Sequence, residues 1–182
     1  MIIALEGIEG CGKTTQSLLL SDELEAKTLK FPNYDRIPLL RKYMHNSLEL
    51  DGRSSFLLFL ADIIEGTKDI KGKVIIDRYF YSTVAYARFN FEKAKEIPKI
   101  LGLKKADLVV LLDIEPELGI RRKTESNMPL DRYERDIEFL REVRERYLKL
   151  AEEQYMGKWV VINANKKPIE IFKEILKALE KE

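Results

Sequence analysis

The stretch EGIEGCGKTT, residues 6–15, decides the fold of this chain. It matches the phosphate-binding pattern GxxxxGK[ST] at every position, and the matching residues are Gly7, Ile8, Glu9, Gly10, Cys11, Gly12, Lys13 and Thr14. The glycines let successive backbone N–H groups turn toward a phosphate, and the helix that follows directs the positive end of its dipole at the same anion. We expect Lys13 to reach the β- and γ-phosphates of ATP and the Thr14 hydroxyl to ligate Mg²⁺. The sequence therefore predicts an ATP-binding loop, in which Cys11 packs rather than reacts.

Short apolar runs alternate with helical patterns along the rest of the chain. The runs that predict strands are residues 2–5, 28–31, 74–76, 108–112 and 159–162. These runs are β-branched and apolar on both faces, so we expect helices to cover both faces of the sheet. A helix is expected over residues 13–26, and apolar side chains recur at helical spacing between later runs. The alternation predicts an α/β fold with a doubly wound five-stranded parallel sheet, and the phosphate-binding motif makes it one of the P-loop NTPase type.

The composition restricts the class of protein. A chain of 182 residues suits one domain, which we assign to residues 1–182. Lys and Arg number 32 against 31 Asp and Glu, so the net charge of +1 implies no attraction to a nucleic-acid polymer or a membrane surface. No uncharged apolar run approaches the length of a membrane-spanning helix, and the first strand begins too early for a signal peptide. The single cysteine suits a reducing compartment, so we expect a cytoplasmic protein.

Charged residues follow the third predicted strand in IIDRYFYSTVAY, residues 75–86. Asp77 and Arg78 fall at the carboxyl end of that strand, where parallel α/β sheets bind their ligands. Asp77 ends an apolar run, as expected of a residue that positions Mg²⁺ or its bound water. The guanidinium group of Arg78 can donate two hydrogen bonds to a second phosphate. A surface ion pair is the alternative interpretation of these two residues taken alone.

A cationic segment precedes the long helix of the C-terminal half. The stretch GIRRKTESNMPLDRYERD, residues 119–136, carries Arg121, Arg122 and Lys123 and then a polar run with a proline. We interpret residues 121–132 as a lid that closes over a transferring phosphate and neutralises its charge. A solvated, charged helix end is the alternative for this segment alone.

In combination these motifs resemble the thymidylate kinases, within the nucleoside monophosphate kinases. The resemblance rests on the ordered pieces EGIEGCGKTTQ, KFPNYD, LLFLAD, IIDRYFYSTVAY, ADLVVLLDIEPE, the double arginine, DRYE and VVINA. It implies transfer of a phosphoryl group from ATP to the phosphate of deoxythymidine monophosphate (dTMP), with Mg²⁺ as cofactor, by a homodimer built on helices flanking the sheet.

The resemblance also assigns roles to residues of this chain. It implies that Phe59 stacks on the nucleobase, that Arg78 binds the acceptor phosphate, and that Tyr86 closes against the 2′ position of the sugar. Phe31, Pro32 and Tyr34 are implied to line the acceptor-phosphate side, and Arg121 and Arg122 match lid arginines. The family's usual base-binding arginine is replaced by Ile63, so either another group such as Thr83 contacts the base or base discrimination is relaxed.

The chemistry of the acceptor leaves more than one activity open. A monophosphate is already ionised, so its phosphorylation needs alignment and cations, here Lys13, Arg78, Arg121 and Arg122, rather than a general base. A nucleoside hydroxyl would instead need a carboxylate to take its proton, and Asp77 or Glu9 could serve in a deoxynucleoside kinase. A broader deoxynucleoside monophosphate kinase and a binding protein that senses nucleotides without turnover are also compatible with these residues.

Overall fold

The computed structural model describes residues 1–127 and 129–180, which form five strands and eight helices. In chain order these elements are β1 (Ile2–Glu6), α1 (Lys13–Leu24), β2 (Lys27–Lys30), α2 (Pro38–Met44), α3 (Gly52–Thr67), β3 (Val74–Asp77), α4 (Phe80–Ala85), α5 (Phe91–Ile100), β4 (Leu108–Asp113), α6 (Pro116–Glu125), α7 (Ile137–Glu152), β5 (Lys158–Asn163) and α8 (Pro168–Leu179). The predicted strands all exist, with bounds that differ by one residue at some ends. The predicted helix over 13–26 ends earlier, at Leu24.

The strands form one parallel sheet in the order β2-β3-β1-β4-β5, as the alternation predicted. Strand β1 is central, and its Leu5 pairs with Asp77 of β3 on one side and Val110 of β4 on the other. Because parallel strands end at the same edge of the sheet, the phosphate-binding loop after β1 lies beside the turn that follows Asp77. The topology therefore brings together two motifs that are about seventy residues apart in the sequence.

The inner strands of the sheet are more deeply buried than the edge strands. Every residue of β1 and β3 is buried, and β4 is buried up to Leu112. The edge strand β2 is largely exposed, and in β5 Trp159 and Ile162 are buried while Val161 is 48% exposed. The expected cover of helices on both faces of the sheet is confirmed, with α7 and α8 both packed against β5, and β2 is more exposed because it lies at the edge of the sheet.

The helices and the sheet enclose one large apolar core, to which each of the three inner strands contributes. A small second cluster, formed by Tyr43, Met44 and Tyr133, lies under the loops at the carboxyl edge. None of the helices in the described part of the chain is both long and apolar enough to cross a membrane.

Candidate active site

The loop between β1 and α1 has the backbone of a phosphate cradle. The φ angles of Gly7, Gly10 and Gly12 are 136°, 75° and 96°, values that residues with a Cβ atom rarely adopt. A Cβ atom at Gly10 would lie 2.2 Å from the carbonyl oxygen of Gly119, so the loop also touches α6 closely. Space beside Gly12 is open, and α1 begins at the next residue. The loop therefore presents the N-terminal end of a helix to an anion, which fits the phosphates of ATP.

Lys13 is held inside this loop. Its ammonium group donates hydrogen bonds to the carbonyl oxygens of Gly7 and Ile8, each at 2.9 Å, and the residue is only 5% exposed. Cys11 is also buried, with its Sγ 3.4 Å from the same ammonium group, as expected for a packing role. These contacts hold the ammonium group within the phosphate-binding loop.

The side-chain oxygens of Thr14 and Asp77 lie together beside the phosphate-binding loop. The Thr14 hydroxyl donates a hydrogen bond of 2.8 Å to Oδ2 of Asp77, whose side chain is 4% exposed. The ammonium group of Lys30 lies 3.1 Å from the Thr14 hydroxyl and 3.6 Å from the same carboxylate oxygen. Hydroxyl and carboxylate oxygens are hard ligands of the kind that Mg²⁺ prefers, so the pair fits this ion.

Arg78 projects from the turn after β3 toward the phosphate-binding loop. Its backbone has a φ angle of 69°, unusual for a residue with a Cβ atom and typical of functional turns. Its guanidinium group donates to Glu9 at 2.5 Å and to the Ser82 hydroxyl at 3.2 Å, and lies 5.3 Å from the ring centre of Tyr86. The arginine therefore stands between the donor loop and the predicted nucleoside residues.

Glu9 is surrounded by cations from three elements. Burial alone would raise the pKa of its carboxyl group, but Arg78, Lys13 and Lys123 together lower that pKa to about 2. The carboxylate is therefore ionised at any physiological pH. The three cations come from the turn after β3, from α1 and from α6.

Glu6 is a buried residue of the site that the sequence analysis missed. Its carboxylate accepts hydrogen bonds from the Tyr79 backbone N–H at 2.8 Å, the Ser82 hydroxyl at 2.5 Å and the Tyr147 hydroxyl at 2.9 Å. Burial raises the pKa of this carboxyl group, and the hydrogen bonds oppose that effect. Glu6 thereby ties the turn that carries Arg78 to the central strand, and an acidic residue at the end of an apolar strand was the signal for it.

A cavity beside Arg78 collects the residues that the resemblance assigned to the acceptor. Its wall includes all seven predicted members, which are Phe31, Pro32, Tyr34, Phe59, Arg78, Thr83 and Tyr86. Ile63, Met44 and Tyr133 complete the apolar side of the same cavity. Met44, at the end of α2, carried no sequence signal, and Tyr133 lay within the DRYE piece of the resemblance without being assigned to the acceptor.

Asp62, also missed from the sequence, anchors the loop that begins at Phe31. Its fully buried carboxylate accepts the backbone N–H of Asn33 at 2.6 Å and the guanidinium group of Arg36 at 2.5 Å. On the same helix, a Cβ atom at Gly66 would lie 2.5 Å from the Phe31 ring, so the ring packs directly on the helix backbone. Helix α3 thus fixes one wall of the acceptor cavity.

A second, wider cleft continues from this cavity over the phosphate-binding loop. The two share lining residues, namely Glu9, Phe31, Pro32, Tyr34, Arg78 and Asp131. The cleft itself is lined by Lys13, Thr14 and Asp77 on one side and by Arg122 and Lys123 on the other. A ligand in the cavity and a ligand in the cleft would therefore meet at Arg78 and Glu9.

Arg121 and Arg122, two of the cationic residues of the predicted lid, point in different directions. Arg122 donates to the carbonyl oxygens of Ala164 at 3.0 Å and Gly10 at 3.4 Å, and it lines the cleft. Arg121 is 68% exposed with its Nε 3.8 Å from Glu125, and within the described residues it lines neither cavity. Met128 of the predicted lid lies outside the described residues.

Comparisons with known proteins agree with this geometry. The family model described as thymidylate kinase matches residues 5–175. A probable thymidylate kinase of Methanocaldococcus jannaschii is 36% identical over 178 residues, covering 93% of this chain and 90% of the relative. A thymidylate kinase of Maridesulfovibrio salexigens is 34% identical over 203 residues, covering 96% of this chain and 93% of the relative.

Solved structures show the same fold. A thymidylate kinase from Candida albicans, whose structure is said to reveal the origin of broad substrate specificity, has a TM-score of 0.79 at 24% identity, over 99% of this chain and 91% of that one. A deoxyadenosine kinase from M. mycoides has a TM-score of 0.77 at 18% identity, over 100% of this chain and 99% of that one.

Proposed function

The chain belongs to the thymidylate kinase family, and on that basis we propose that it transfers the γ-phosphoryl group of ATP to the phosphate of dTMP, giving ADP and dTDP. The observation that carries this proposal is the junction of the two cavities. An aromatic acceptor cavity opens onto the cleft over the phosphate-binding loop, and Arg78 lines both. Two nucleotides bound in this way would face each other across cations.

In this scheme the protein aligns two phosphates and neutralises the charge between them. Lys13 and the loop backbone hold the phosphates of ATP, and Arg78 holds the phosphate of the acceptor. Thr14 and Asp77 would hold Mg²⁺, which neutralises charge on the donor phosphates when it is bound. Arg122 reaches the cleft from α6, and a catalytic role for Arg121 stays a prediction from the resemblance.

The acceptor cavity supports recognition of a deoxynucleotide mainly by shape. Phe59 offers a ring for stacking on a base, and Tyr86 closes the sugar side. Ile63 is 2% exposed within the wall and cannot donate a hydrogen bond to a base carbonyl, whereas Thr83 in the same wall offers a hydroxyl group to the base edge. This composition favours a broader range of deoxynucleoside monophosphates as a second candidate function.

The state of Glu9 argues against the deoxynucleoside kinase alternative. A carboxyl group with a pKa of about 2 is a weak base, and three cations already compensate its charge. Asp77 for its part accepts the hydroxyl of Thr14. The same cations suit an ionised phosphate acceptor, and their presence beside a complete phosphate-binding loop favours an enzyme over a nucleotide sensor.

Steady-state release of ADP tests the proposal. We expect turnover with dTMP, slower turnover with other deoxynucleoside monophosphates, and none with deoxynucleosides. Turnover with deoxythymidine but not with dTMP would overturn the acceptor assignment. Tight binding of ATP without ADP release in the presence of any acceptor tested would favour a sensor.

We further propose a single domain over residues 1–182 that acts as a cytoplasmic homodimer on small nucleotides, without a nucleic-acid partner. Helix α3 supports the dimer, because it leaves Leu57 54% and Ile64 37% exposed on a face that also carries Ala61. Replacement of Leu57 by Glu should convert a dimer to monomers in sedimentation velocity. An unchanged sedimentation coefficient would exclude this face as the interface.

A further inference from the structure

The contact of helix α6 with the phosphate-binding loop fixes the rotation of the helix about its own axis. Gly119 faces the loop so closely that a Cβ atom there would lie 2.4 Å from the carbonyl oxygen of Glu9, and the reciprocal contact at Gly10 is 2.2 Å. Residues three and four positions along a helix share a face, whereas a residue two positions along points to the other side. Arg122 and Lys123 therefore face the loop with Gly119, and Arg121 faces solvent.

The contacts of Lys123 fit that geometry. Its side chain is 14% exposed, lines the cleft over the phosphate-binding loop, and donates to both carboxylate oxygens of Glu134 at 2.6 Å. Glu134 is fully buried and also accepts the backbone N–H of Asp131. An ammonium group has three N–H donors, so one donor of Lys123 is left beyond the pair with Glu134.

Lys123 also belongs to the group of cations around Glu9. Its charge acts on that carboxylate together with Lys13 and Arg78, the two cations already assigned to the donor and acceptor phosphates. Arg121 pairs with Glu125 on the exposed side of α6 and, among the described residues, lines neither cavity. Lys123 is thus a cation of this helix that lines the cleft and that the resemblance did not single out.

We propose that Lys123 is an additional catalytic residue, whose ammonium group binds the phosphoryl group during transfer while Glu134 holds it in place. This inference rests on the proposed kinase function. The lysine changes no bond itself and supplies positive charge where negative charge accumulates between the two nucleotides. Its contribution is expected to be larger in the transition state than in either bound nucleotide.

Replacement of Lys123 by Met tests the proposal. We expect kcat with dTMP to fall by on the order of 10²-fold, the usual effect of removing one preorganised donor. Dissociation constants of ADP and dTMP, measured by calorimetry, should change far less. A Lys123→Met protein that folds and turns over within a few-fold of the parent would overturn the proposal.

A second variant separates catalysis from simple neutralisation of Glu134. Lys123→Met leaves a buried carboxylate without its cation, which by itself can destabilise the fold. The double variant Lys123→Met/Glu134→Gln removes both charges and keeps an acceptor for the Asp131 N–H. We expect it to regain the thermal midpoint of the parent but not its kcat.

Recovery of kcat in the double variant would overturn the catalytic role, because Lys123 would then be needed only to neutralise Glu134. If Lys123→Met does not fold, the double variant decides the question by itself. A parent protein that phosphorylates no nucleoside monophosphate would refute the proposed function instead, and that failure shows before any variant is compared.

Discussion

Replacement of Phe59 by Ala should weaken the binding of acceptors that carry a base. Phe59 lies in the wall of the acceptor cavity, where its ring is 6.4 Å from that of Tyr43 in an edge-to-face arrangement. Stacking of a base on an aromatic side chain contributes ~1–3 kcal/mol. At ~1.4 kcal/mol per factor of ten, the loss corresponds to about 5- to 150-fold in affinity.

The assay compares two acceptors that differ only in the base. Calorimetric dissociation constants of dTMP and of deoxyribose 5-phosphate are measured for the parent and for Phe59→Ala. We expect dTMP to bind more weakly to the variant and deoxyribose 5-phosphate to bind equally to both. The affinity for ADP should be unchanged, because Phe59 does not line the cleft over the phosphate-binding loop, within the part of the chain described.

A matched variant controls for the general loss of an aromatic ring. Phe172 of α8 packs against the main core and, among the described residues, lines neither cavity. Phe172→Ala should lower the thermal midpoint without changing the ratio of the two acceptor affinities. If Phe59→Ala leaves dTMP binding intact, or weakens both acceptors equally, the ring does not stack on the base and the reasoning is refuted.

Three further predictions concern the charges of the site. Lys13→Ala should lower kcat by at least ~10²-fold because a preorganised donor is lost, and its circular dichroism spectrum should match that of the parent. A folded variant with normal turnover would remove Lys13 from the mechanism. Arg122→Ala should lower kcat more than it raises the dissociation constants of ATP and dTMP, and an effect on binding alone would assign Arg122 to nucleotide binding. The pKa of Glu9 is lowered from 4.5 to about 2. The ionised Glu9 carboxylate therefore stabilises the fold fully at pH values above its pKa in the unfolded chain, and this stabilisation is lost as the pH falls toward 2. The thermal midpoint of the parent should therefore drop more steeply than that of Glu9→Gln between pH 5 and pH 3, and parallel curves would contradict this assignment.

The sequence alone determined the features that are local in the chain. The phosphate-binding loop is a run of consecutive residues whose glycines dictate their own backbone, so its geometry could be read directly. Asp77 and Arg78 were placed correctly at the edge of the sheet because all parallel strands end there. The strand order, the exposure of β2 and the contacts of Glu6 and Asp62 could not be read in this way. These features depend on which elements pack side by side, and no local pattern specifies that.

Helix α6 shows the same division between what the sequence determines and what the tertiary structure decides. The sequence placed Arg121, Arg122 and Lys123 next to one another, and nothing in their order says which of them faces the phosphates. Successive helical residues are about 100° apart around the axis, so a rotation of α6 by about that angle would exchange their roles. The tertiary contact between Gly119 and the phosphate-binding loop sets that rotation, turning Arg122 and Lys123 toward the cleft and Arg121 toward solvent.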